Sequence, residues 1–80
     1  MNTPWSSQVR PLVEQIRPIL ANNDPMLQSA VLADLLAMWV AGFSCPDDAN
    51  ETEIWREQLL ESHIELVRQL IPINARIIGT

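Results

Sequence analysis

Eighty residues with a formal net charge of −5 and 48% hydrophobic content describe a single acidic domain, 1–80, whose core is small for want of chain. One cysteine, Cys45, excludes an internal disulfide, and no Cys/His cluster stands at zinc spacing, so self-association is the remaining way to stabilise so short a chain. Nucleic acid is a poor match, because phosphate binding needs a concentrated basic surface and the five basic residues, all arginine, are scattered against ten acids.

Residues Met1 to Pro11 lack the basic start and apolar run of a secretory signal, which makes a cytoplasmic location the expectation. The first helix is expected over about 7–21. Val9-Arg10-Pro11-Leu12-Val13 is echoed seven residues later by Ile16-Arg17-Pro18-Ile19-Leu20, and Val9, Leu12, Val13, Ile16, Ile19 and Leu20 fall on one stripe at helical periodicity. Both prolines fall on the opposite side. With Ser7 as N-cap, Pro11 would sit in the first turn at little cost, and Pro18 would bend the helix around its apolar stripe.

Asn22-Asn23-Asp24-Pro25 breaks the chain and starts a second helix, expected over 25–41, with Asp24 as N-cap, Pro25 at the first helical position and Gly42 at the end. Its only polar residues are Gln28, Ser29 and Asp34. Ser29, Ala33, Ala37 and Ala41 form a smooth ridge on one side, and Val31, Leu32, Leu35, Leu36, Trp39 and Phe43 a bulky surface on the other. A helix apolar on both sides needs covering on both. The run is too short, and Asp34 too central, for a membrane span.

After the loop Phe43-Ser44-Cys45-Pro46-Asp47-Asp48, capping signals at Asp48 and Asn50 start a third helix, expected over about 50–71. Trp55, Leu59, Leu60, Ile64, Leu66, Val67, Leu70 and Ile71 share one half of its wheel. Pro72 is expected to stop it, leaving Ile73 to Thr80 as an apolar tail docked on the body. The fold class is therefore all-α, a small three-helix domain expected to be completed as a helical bundle by dimerisation.

Three residues break the patterning. His63 projects from the apolar half of the third helix with Arg56 almost in line, and Asp34 borders the alanine ridge. Together they could line a cleft as general base, anion holder and carboxylate of a small-molecule or metal-dependent enzyme. Equally, His63 and Arg56 could be core-edge residues and Asp34 half of a structural pair with either of them. The row Glu53, Glu57, Glu61 and Glu65 reads as a solvated helix face, suited at most to a basic protein partner, and Cys45 lacks a cationic neighbour that would activate its thiol. No complete catalytic constellation, cofactor motif or metal-ligand set is present. The expected function is that of a non-catalytic interaction module, a homodimer joined through Ser29, Ala33, Ala37 and Ala41.

Overall fold

The computed structural model describes residues 6–79, which form three helices and, among the described residues, no strand. They are α1 (Ser6–Ala21), α2 (Pro25–Ala41) and α3 (Ala49–Ile78). The chain divides into two compact units, one through Asp34 and the other from Leu35 onward.

In the first unit, α1 begins at Ser6, so the expected placement of Pro11 in the opening turn is corrected: both Pro11 and Pro18 are interior. Each removes the amide that would have bonded the carbonyl four residues back, at Ser7 and Glu14. Both rings are exposed, as their place opposite the apolar stripe requires. On the same outer surface Glu14 lies between two arginines, 3.7 Å from Arg10 and 3.2 Å from Arg17. Pairs so exposed contribute a few tenths of a kcal/mol, about 0.3–0.5 each.

The break between α1 and α2 is held by side-chain amides. Asn23 Nδ2 donates to Ile19 O at 2.9 Å, and Gln28 Nε2 reaches back to Leu20 O at 2.8 Å and Asn23 O at 2.9 Å. Ile19 O and Leu20 O belong to the last turn of α1 and Asn23 O to the break itself, all outside the regular helical pattern, which accounts for a glutamine in the first turn of a largely apolar helix. Asp24 caps α2 as expected, its Oδ1 accepting from Met26 N at 2.8 Å while its carbonyl accepts from Gln28 N.

In the second unit α2 closes at Ala41, although Gly42 does not end it by the left-handed route. Among the described residues only Gly79 has positive φ. The Gly42 amide is instead shared between Met38 O at 3.1 Å and Trp39 O at 3.3 Å, and Phe43 N tightens onto Val40 O at 3.1 Å. One carbonyl of the last turn, that of Ala41, is then left for a side chain, which α3 supplies.

The third helix starts where its cap signal puts it, with Asp48 Oδ1 accepting from Glu51 N at 3.1 Å. Its end differs from expectation. Pro72 is inside the helix, which continues to Ile78 and stops at Gly79, in the left-handed region at φ 93°, with Gly79 N bonded to Ala75 O. One proline removes one hydrogen bond, at Arg68 O, and the next six residues contain no second breaker. Asn74 Nδ2 also bonds Leu70 O at 3.0 Å, tying the two sides of the proline together. The apolar tail is thus the final turns of α3, and it is not docked: Ile73, Ile77 and Ile78 are 52%, 63% and 68% exposed.

Candidate functional site

The loop between α2 and α3 is held by two residues one turn apart on α3. Thr52, 8% exposed, is the one buried residue among those described. Its Oγ1 accepts from Cys45 N at 2.9 Å and lies within donating distance of Cys45 O at 3.2 Å and Asp48 O at 3.0 Å. Asp48 N also bonds Cys45 O, closing a turn with Pro46 at its second position, where the fixed φ of proline favours it. The loop's backbone therefore spends its polar groups locally.

Arg56 lies one turn further along the same face. Its Nη2 donates to Ala41 O at 2.8 Å and its Nε to Phe43 O at 3.0 Å. A cation on the last carbonyls of a helix both satisfies orphan acceptors and opposes the negative end of the helix dipole. This answers why an arginine interrupts the apolar half of α3: its stem follows the helix face and its fork caps α2. Two of its donors are committed to backbone, which argues against a free anion site.

His63 lies two turns beyond Arg56, half-buried, with its ring centroid 5.4 Å from that of Trp39 at a 46° tilt. Trp39 in turn meets Phe43 edge to face at 5.3 Å and 78°. Three aromatic rings, contributed by the end of α2, the loop and α3, thus form a small cluster, in which the Trp39–Phe43 pair has the edge-to-face geometry that aromatic quadrupoles prefer. Trp39 remains 46% exposed, so the cluster is a surface feature.

The structure accordingly separates the roles of the three pattern-breaking residues. Arg56 and His63 share the second unit, but one caps a helix and the other lies tilted against an indole. Asp34 belongs to the first unit, is exposed, and takes part in none of the ion pairs among the described residues. Ser29, Ala33, Ala37 and Ala41 are all exposed, as are Glu53, Glu57, Glu61 and Glu65. Among the described residues no group of three or more His, Cys, Asp or Glu side chains could hold a metal ion. No described helix is long and apolar enough to cross a membrane.

Thr52 and Gln28 were not singled out by sequence patterning, and both turn out to clamp a helix junction. The signal for Gln28 was a long amide in the first turn of a largely apolar helix. For Thr52 it was a hydroxyl in the first turn after an N-cap, a place where short polar side chains bond nearby backbone. No protein-family model matches the chain, and comparison with curated proteins and with solved structures found no match.

Proposed function

We propose that this chain is a non-catalytic helical module that acts by self-association, its exposed apolar surfaces being covered by a second copy of the same chain. The observation that carries the reading is that no hydrophobic side chain among the described residues is buried, whereas nineteen large ones are exposed. Scattered exposed leucines are ordinary, but the absence of any buried one is not.

The magnitudes favour association. Covering a half-exposed Leu, Ile or Met contributes on the order of 1 kcal/mol, so shielding half of the nineteen offers about 10 kcal/mol, comparable with the whole net stability of a typical domain. The ridge Ser29, Ala33, Ala37 and Ala41 is a place where a helix of another copy could approach closely, since small side chains let backbones come together. The exposed row of Glu53, Glu57, Glu61 and Glu65 would remain outward, keeping the assembly soluble or meeting a basic protein partner.

An enzyme built on Asp34, Arg56 and His63 is the weaker reading, because the Arg56 guanidinium is already committed to the end of α2. Sedimentation equilibrium tests the preferred reading. A dimer is expected at micromolar concentration, and a monomer of 9.1 kDa that remains folded would contradict it.

A further inference from the structure

We draw no further inference here: the strongest candidate, the exposed apolar side of the C-terminal half of α3 formed by Leu66, Val67, Ile71, Ile73, Ile77 and Ile78, carries none because nothing in the structure shows what covers it.

Discussion

Replacing Arg56 by alanine isolates the contact on which the second unit turns. The last four carbonyls of α2 are each accounted for: Met38 O and Trp39 O share the Gly42 amide, Val40 O takes the Phe43 amide, and Ala41 O takes Arg56 Nη2. The substitution leaves Ala41 O and Phe43 O without their donor. A charged hydrogen bond contributes about 1.5–3 kcal/mol where water is excluded. Arg56 is only half-buried, so water replaces part of each bond, and the pair together is worth about 1–2 kcal/mol. The cation at the helix terminus adds about 0.3–1 kcal/mol. Arg56→Ala should therefore cost about 2 kcal/mol, a fall of about 10 °C in thermal midpoint for a chain of this size.

The assay is thermal unfolding followed by far-ultraviolet circular dichroism at one fixed protein concentration, since association otherwise moves the midpoint. Arg56→Lys should lose about half as much, because an ammonium lacks the planar fork that reaches two carbonyls at once. Arg56→Met retains the packed stem and reports the charge and hydrogen bonds alone. An alanine variant that melts with wild type would refute the capping role. Were Arg56 an anion site instead, phosphate would stabilise the wild type and not the variant; no such difference is expected.

Three further outcomes can be checked in the same way. Thr52→Val, nearly isosteric, strips the Cys45 amide of its acceptor and should cost about 1–3 kcal/mol in urea unfolding, with no loss if the hydroxyl is incidental. Pro72→Ala restores a donor to Arg68 O and should raise helix content and stability by about 1–3 kcal/mol, as circular dichroism and urea unfolding would show; an unchanged stability would mean that the proline costs the helix nothing. Ala37→Leu should weaken self-association by about 1–3 kcal/mol through overpacking, and an unchanged association constant would place the ridge in solvent.

The features legible in the sequence are those whose partners lie within one turn. Asp24 and Asp48 announce α2 and α3 because an N-cap carboxylate bonds an amide two or three residues on, and both do so. The apolar stripe of α1 and the outward prolines follow in the same way from helical periodicity. What could not be read there depends on longer reach: Gln28 acts eight residues back, and Arg56 acts thirteen and fifteen residues back. Spacing shows that Arg56 breaks an apolar face, but which helix end lies opposite is a property of the folded unit.

Pro72 misled for a different reason. A proline ends a helix when the residues after it have something better to do, and Ile73-Asn74-Ala75-Arg76-Ile77-Ile78 lead directly to a left-handed Gly79 that caps them as helix. Reading the glycine as the terminator and the proline as an interior bend would have placed α3 correctly. That Asp34 belongs to one unit and Arg56 and His63 to the other was equally invisible, because patterning identifies exceptions without saying what surrounds each.

The central claim is that this chain leaves its apolar side chains exposed because another copy covers them. Sedimentation equilibrium across concentrations from nanomolar to tens of micromolar tests it most directly, with circular dichroism recording helix content over the accessible part of that range. The account predicts a mass of twice 9.1 kDa at the upper end, with dissociation on dilution accompanied by loss of helix. A fully helical monomer of 9.1 kDa throughout would contradict it.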